Sequence, residues 1–201
     1  MIEMNNLLEK YKFNYNDLKK WNDTCGIKRA KFISTFIENP NIIKHSSKKI
    51  SLLDIAGCFG PLRRFIPNSI NYHIIDLVNN SFKNAIQWDL NKMPLPYKSK
   101  KFDIIVCLDL FNHLREPKKF LSEIKRILKD DGYIVLSLQK YKRGGGHLHI
   151  LDRSFIEKEF KVIKEFGVLE WIFGVNITVI TPLIRVPLFL SSERFYIAIK
   201  K

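Results

Sequence analysis

The stretch that decides the fold is Leu52-Leu53-Asp54-Ile55-Ala56-Gly57-Cys58-Phe59-Gly60, in which a short apolar run ends at an acid and a turn of small residues. A short run that is apolar on both faces is typical of a strand in a parallel sheet covered by helices. Small residues in the turn let the backbone approach a ligand closely. The stretch therefore predicts a strand whose carboxyl end carries a binding turn.

Further apolar runs repeat this pattern along the chain. They are His73-Ile74-Ile75-Asp76, residues 103–108 and residues 133–138, and two more strands are predicted at 160–170 and 194–200. Residues 117–128 place apolar side chains on one helical face, and Asp131-Gly132 is predicted to stop that helix. This succession predicts a doubly wound α/β fold, whose ligand lies at the carboxyl ends of the strands.

Composition and hydropathy divide the chain into regions. A basic, helical N-terminal extension is predicted over residues 1–45, and Asn39-Pro40-Asn41 is predicted to end its second helix. Residues 46–201 are expected to form the main domain. The N-terminus lacks the uninterrupted apolar core of a signal peptide, so we expect a cytoplasmic protein. Residues 171–190 form an apolar insert, predicted to be a lid. Its charge-free part is shorter than the ~20 residues of a membrane span, so peripheral membrane contact is possible but a crossing is not expected.

The formal net charge of +14 and the sequence pI near 9.7 favour anionic partners. The three cysteines are widely spaced and form no Cys-x-x-Cys pair, which argues against a disulfide framework or a structural zinc site. The strand-end turns show no His/Asp/Glu cluster at ligand spacing. We therefore expect no metal site.

Three acidic residues lie at or after the carboxyl ends of predicted strands and are candidate ligand contacts. Asp54 precedes its glycines, unlike the acid of a dinucleotide-binding G-x-G-x-x-G turn, and suits a ligand that carries positive charge. An ordinary tight strand-to-helix turn is the alternative. Asp76 lies 22 residues later, where nucleotide sites place the acid that accepts hydrogen bonds from ribose hydroxyls. Asp89 follows Trp88, whose ring either covers an adenine or packs in the core.

The order and spacing of these blocks resemble the class I S-adenosylmethionine-dependent methyltransferases of the methyltransferase-11 type. The resemblance covers about 52–138 and includes Met93-Pro94-Leu95-Pro96-Tyr97, Asp109-Leu110-Phe111-Asn112-His113 and the block from Phe120 to Tyr133. It implies a Rossmann-like, mostly parallel seven-stranded sheet and S-adenosylmethionine as cofactor. The cofactor contacts that it implies are Asp54, Ala56, Gly57, Cys58, Gly60, Asp76, Leu77, Trp88, Asp89, Leu90, Cys107 and Leu108.

The chain departs from that pattern at three kinds of position. Ala56 and Cys58 stand where the family has glycine, and Asn112 stands where it often has glutamate before histidine. Only eight residues separate Asp76 from Ala85, so a short helix or a loop is expected there. Ala56, Cys58 and Asn112 favour, as one alternative, a non-catalytic binding protein of the same fold.

Most candidate substrate and catalytic residues follow the predicted strands at 103–108 and 133–138. His113 is the candidate general base, and a structural capping histidine is its alternative. Asp109 is predicted to line the substrate mouth, Lys142 and Arg143 to bind a negative charge, and Trp171 to wall an apolar part. The expected reaction is in-line methyl transfer to a small-molecule or lipid- or sugar-linked, anionic acceptor. RNA is the second candidate substrate, since the chain is strongly basic.

Overall fold

The computed structural model describes residues 16, 19–20, 23, 26–37, 49–78, 82–140, 147–172, 175–182 and 193–201. For residues 168–172 and 175–182 it describes the backbone alone. Most of the predicted N-terminal extension, including Asn39-Pro40-Asn41, therefore lies outside the described residues.

The described elements form one sheet with helices on both faces. The strands are β1 (Ser51–Ile55), β2 (Asn71–Asp76), β3 (Ala85–Gln87), β4 (Phe102–Cys107), β5 (Leu128–Gln139), β6 (Phe160–Ile172), β7 (Val175–Pro182) and β8 (Glu193–Lys200). The helices are α1 (Ile27–Ile37), α2 (Pro117–Ile127) and α3 (Arg153–Ile156), with short 3-10 helices at Pro61–Arg64 and Phe111–His113.

The strand order is β3-β2-β1-β4-β5-β8-β6-β7. The first five strands pair in parallel, whereas β8, β6 and β7 pair antiparallel. This confirms the predicted doubly wound, mostly parallel α/β fold. An eighth strand, β7, extends the predicted seven-stranded sheet at its edge and comes from within the 171–190 segment. The chain order reverses between β1 and β4, and a ligand crevice is expected at the carboxyl ends of strands on either side of such a switch point.

Alternating side chains explain why helices cover both faces. Leu53 and Ile55 of β1 pack with the apolar face of α2, which contributes Phe120, Leu121, Ile124 and Ile127. Leu52 of the same strand packs on the opposite face with Ala30, Ile33 and Ile37 of α1. Each strand therefore buries both of its faces, as its apolar sequence predicts.

One local prediction needs correction, and one strand was missed. Helix α2 ends at Ile127 because Leu128 is already extended and begins β5, so Asp131-Gly132 is not its stop. Glycine is needed at 132 for another reason, since a Cβ there would lie 2.8 Å from the Asp103 carbonyl oxygen. Strand β3 was not predicted, because three residues are too few to show a period.

The connection from β2 to β3 agrees with the expectation of a loop, since residues 77–78 and 82–84 form bends and a turn. Among the helices of the described ranges, none combines the length and the apolar character that a membrane crossing requires.

Candidate cofactor and acceptor site

The turn after β1 has a left-handed backbone at three positions. The φ angles are 57° at Ala56, 52° at Cys58 and 66° at Gly60. A residue with a Cβ pays about 1–2 kcal/mol for this conformation. Ala56 and Cys58 are the positions at which the methyltransferase pattern has glycine. Both residues adopt the left-handed backbone although they lack the conformational freedom of glycine. Strain of this kind is typical of functional sites.

Gly57 leaves room for the carboxylate of Asp54. A Cβ at 57 would lie 2.6 Å from both Cγ and Oδ2 of Asp54, so any larger residue would displace the acid. The Asp54 side chain is buried, and the Tyr72 hydroxyl donates a hydrogen bond of 2.7 Å to its Oδ2. Burial raises the pKa of Asp54 to about 7, although the Tyr72 hydrogen bond lowers it and the neighbouring Asp76 raises it further. The acid is thus poised to ionise when a cation approaches.

Asp76 joins the end of β2 to the turn after β1. Its Oδ2 accepts from the Cys58 amide and its Oδ1 from the Val78 amide, both at 2.8 Å. Burial raises the pKa of Asp76, and these backbone hydrogen bonds oppose that rise. Each carboxylate oxygen keeps a second lone pair for a ligand hydroxyl. The neighbouring Leu77 is half-buried, and its carbonyl accepts from the Gln87 side chain at 2.9 Å.

Trp88, Asp89 and Leu90 follow β3 at the same edge of the sheet. Trp88 is half-buried and packs against the core, while its indole Nε1 donates to the Lys92 carbonyl at 3.0 Å. The Asp89 Oδ1 accepts from the Asn91 amide at 3.0 Å. Leu90 borders a cavity of about 240 Å³, whose other walls are Asn91, Met93, Leu114, Arg115, Glu116 and Phe120.

A smaller cavity of about 30 Å³ lies between the β1 turn and α1. Asp54, Ala56, Gly57 and Leu108 line it from the sheet, and Gly26, Arg29, Ala30 and Ile33 line it from the helical side. All four of these sheet residues are predicted cofactor contacts. The contribution of α1 was not predicted, because no local motif indicates it. The predicted contact Cys107 is fully buried in the core, so its side chain faces away from this cavity, and the next residue, Leu108, borders the cavity instead.

Arg29 ties α1 to the carboxyl edge of the sheet. Its guanidinium forms a hydrogen-bonded ion pair with Glu193, and both side chains are essentially inaccessible to solvent. The same guanidinium lies 3.9 Å from Oδ2 of Asp109. The partners Arg29 and Glu193 are 164 residues apart, so the pair had no sequence signal.

Asp109 is held firmly at the end of β4. Its backbone is left-handed, with a φ of 53°, and its amide donates to the Ser137 hydroxyl at 2.8 Å. Its Oδ1 accepts from the Gln139 side chain at 2.7 Å. Burial alone would raise the pKa of Asp109, but Arg29 and the Gln139 hydrogen bond outweigh it and hold the pKa below its ordinary value. The side chain is 23% exposed, which leaves it reachable from the crevice.

His113 and His147 lie beside Asp109. The two imidazole rings are 4.5 Å apart at their centroids and meet edge to face. One ligand-type atom from each of the three residues lies within 4.8 Å of the others, and all three side chains are half-buried. The sequence spacing shows no His/Asp/Glu cluster at the strand-end turns, but the fold brings these three side chains together, because His147 is distant in sequence and joins the pair only in the fold. The role of His113 as a base stays a prediction.

Asn112 fixes the segment that carries His147. Its buried side-chain Nδ2 donates to the His149 carbonyl at 2.7 Å, and its backbone carbonyl accepts from the Leu148 amide at 2.7 Å. The His149 ring contacts the Leu114 carbonyl at 2.9 Å. Asn112, which departs from the family pattern, thus has a structural role in this chain.

The structure does not describe the side chains of the remaining predicted substrate residues. Lys142 and Arg143 lie outside the described residues, and for Trp171 only the backbone at the end of β6 is described. Their roles, and that of the 171–190 segment as a lid, stay predictions.

Comparison with known proteins agrees with this geometry. Residues 53–136 match a family model described as a methyltransferase domain. A curated relative, the tRNA U34 carboxymethyltransferase of Campylobacter jejuni strain 81-176, is 36% identical over 70 residues, which are 34% of this chain and 24% of the relative. The chain thus matches about a quarter of the length of that relative.

Solved structures share the fold over most of the chain. A Thermotoga maritima protein described as a S-adenosylmethionine-dependent methyltransferase, possibly a histamine N-methyltransferase, aligns over 100% of both chains with a TM-score of 0.61 and 14% identity. The Burkholderia thailandensis 1,6-didemethyltoxoflavin-N1-methyltransferase, solved with S-adenosylhomocysteine, aligns over 100% of this chain and 88% of its own with a TM-score of 0.64 and 13% identity. Residues 53–136 therefore match a methyltransferase family model, and the chain shares the fold of these methyltransferase structures.

Proposed function

We propose that this chain binds S-adenosylmethionine at the β1–β4 crevice and transfers its methyl group to an acceptor. The observation that carries the proposal is the convergence of Asp54, Asp76 and the strained 56–60 turn beside a cavity at the topological switch point. S-adenosylmethionine supplies an electrophilic methyl carbon and carries positive charge on its sulfonium and ammonium groups. A buried acid next to a close-packed glycine fits such a ligand.

Each part of the site has a role in this proposal. Asp54 ionises and offsets the positive charge of the cofactor. Asp76 accepts hydrogen bonds from the ribose hydroxyls, while its hydrogen bonds with backbone amides hold the turn in place. Trp88 and Asp89 border the adenine. Helix α1 contributes Arg29 and Ile33 to the wall of the crevice. Alignment and a dry cavity are the main contributions that a protein makes to methyl transfer.

The acceptor proposed here is a small or lipid-linked molecule that carries negative charge. Leu148 and Ile150, next to His147, are 48% and 60% exposed, and such apolar surface beside the acceptor edge favours an acceptor with an apolar part. The net charge of +14 favours its negative charge.

RNA is the second candidate acceptor. Its support is the tRNA-modifying activity in the name of the curated relative, together with the basic composition. A titration with total tRNA at several salt concentrations separates the two candidates. Tight binding that falls steeply with salt favours RNA, because phosphate contacts release counterions.

Calorimetric titration with S-adenosylmethionine and S-adenosylhomocysteine tests the cofactor proposal. We expect micromolar or tighter binding, and Asp76→Asn should weaken it by roughly 10- to 100-fold through lost hydrogen bonds. Asp130→Asn is the control, because Asp130 is exposed and pairs with Lys100 and Lys200. A folded wild type that gives no heat contradicts the proposal. Cofactor binding without transfer to any acceptor, followed with radiolabelled methyl, points to the non-catalytic alternative.

A further inference from the structure

Three side chains of metal-ligand type converge on one point at the acceptor edge. Asp109 follows β4, His113 ends the 3-10 helix Phe111–His113, and His147 lies beyond β5. Their ligand atoms lie within 4.8 Å of one another. Ligands of a bound zinc ion are roughly 3.3 Å apart, as bonds of about 2.0–2.2 Å in a tetrahedral arrangement require. Small rotations of these half-buried side chains would close that gap.

The carboxylate is already oriented as a metal ligand needs to be. Gln139, itself buried, donates to Oδ1 of Asp109, and Ser137 holds the Asp109 amide. Hydrogen bonds of this kind fix the orientation of ligating carboxylates in metal sites. The left-handed backbone of Asp109 shows that the fold maintains this placement against a local cost.

The two imidazoles are brought together by a separate device. Asn112 binds the Leu148 amide and the His149 carbonyl, so the chain on either side of Leu148 is attached to the 3-10 helix that bears His113. The backbone carbonyl and the side chain of Asn112 thus both bond to the segment next to His147, and His113 is the residue that follows Asn112. This convergence comes from three elements and is not a feature of one surface loop.

The charges around the cluster permit a cation. Arg29 is the positive group closest to Asp109 among the contacts described, at 3.9 Å from Oδ2. Its guanidinium is already paired with the buried Glu193. Among these three described groups, the two carboxylates exceed the one guanidinium by one formal charge.

We infer that Asp109, His113 and His147 form a binding site for a divalent first-row transition-metal ion. Two imidazoles and one carboxylate suit zinc, iron(II), cobalt and nickel better than magnesium or calcium, which prefer oxygen ligands. Three protein ligands leave further coordination positions open to solvent or to an acceptor, as in catalytic and not structural metal sites.

The site has a consequence for the acceptor that rests on the proposed function. An acceptor hydroxyl bound at an open position would be more acidic, because the metal acts as a Lewis acid, and its proton would pass to solvent water. His113 would then serve as a metal ligand and not as the base. The acceptor class that fits is one with an oxygen donor able to coordinate the ion.

Zinc titration tests the site without any substrate. Full-length protein is freed of metal with a chelator, transferred to a non-chelating buffer and titrated with Zn²⁺ alone by calorimetry, with thermal unfolding in parallel. We expect one equivalent to bind and to raise the unfolding temperature. His147→Gln and Asp109→Asn should each weaken binding at least about tenfold. His73→Gln is the matched control, because His73 lies within β2 and contacts Asn71.

A second readout checks that the same residues hold the ion. Co²⁺ gives visible absorption that depends on its ligands, and we expect the wild type and His73→Gln to share a spectrum that His147→Gln lacks. Equal Zn²⁺ affinity in the wild type and both cluster variants overturns the inference, as does a folded wild type that binds no Zn²⁺. His147→Gln keeps the test valid if Asp109→Asn does not fold. Separate S-adenosylmethionine titration distinguishes this failure from failure of the proposed function.

Discussion

The hydroxyl of Tyr72 donates a hydrogen bond of 2.7 Å to Oδ2 of Asp54, linking adjacent strands at the proposed cofactor crevice. Burial nevertheless raises the pKa of Asp54 from 3.8 to about 7. The folded chain therefore holds a proton that the unfolded chain releases between these two values. The contribution of Asp54 to stability is complete below pH 3.8 and is lost as the pH rises through 7.

Asp54→Asn should remove this pH dependence. The pKa shift of Asp54 corresponds to a pH-dependent change in the free energy of unfolding of at most about 4 kcal/mol. Urea unfolding at pH 5 and pH 8 should show that the wild type loses more stability than the variant between these values. Equal losses in the two proteins would contradict the raised pKa. Saturation with S-adenosylmethionine should diminish the difference, because a bound cation stabilises the ionised acid.

Tyr72→Phe should destabilise the protein by about 1–3 kcal/mol at pH 8, since it takes a donor from a buried, ionised acid. The loss should be smaller at pH 5, where Asp54 is protonated. Tyr133→Phe is the matched control, because the Tyr133 hydroxyl is buried and has no hydrogen-bond partner within the described ranges. That control should be neutral or more stable, and urea unfolding compares all three proteins.

The left-handed backbone at Ala56 makes it unusually tolerant of glycine. Ala56→Gly should remain within about 0.5 kcal/mol of the wild type or exceed it, since relief of strain offsets the added chain entropy and the lost methyl group. Ala85→Gly in β3 should cost about 1 kcal/mol, and Ala56→Val about 2 kcal/mol or more. Thermal unfolding ranks the variants. A glycine at 56 that costs as much as one at 85 would refute the strain at this turn.

Arg29 and Glu193 form a buried ion pair between α1 and β8. Arg29→Met should destabilise the protein by about 3–5 kcal/mol, because it leaves Glu193 buried without its cation. The double variant Arg29→Met/Glu193→Leu should recover much of that loss. A double-mutant cycle by urea unfolding measures the coupling, and additive effects of the two substitutions would argue against it.

Asn112→Ala should cost about 2 kcal/mol, since Asn112 is buried and bridges to the His149 carbonyl. Hydrogen exchange of the His147–Ile150 segment should accelerate in this variant, while exchange in β1 should not change. The control is Asn68→Ala, because Asn68 is exposed and contacts the Arg63 side chain. Unchanged protection of the segment would show that other contacts hold His147 in place.

The sequence by itself determined the strands around the crevice and the faces that they bury. Runs such as 50–55 and 103–108 are short, apolar on both faces and carry an acid at or just after their carboxyl end, and this local pattern is sufficient to predict parallel strands with a ligand edge. It also brought Asp54 and Asp76 to one site, because parallel strands end at the same edge of a sheet. Strand β3 escaped prediction because three residues carry too little periodic information.

Only the tertiary structure decided which distant residues meet. The pairing of Arg29 with Glu193, and the meeting of His147 with His113 and Asp109, depend on strand order and on how loops fold back, and local composition does not encode either. The left-handed angles at Ala56 and Cys58 were likewise hidden, because neither residue type favours them and the surrounding fold imposes them. Packing over the whole sheet, not any single segment, sets these contacts.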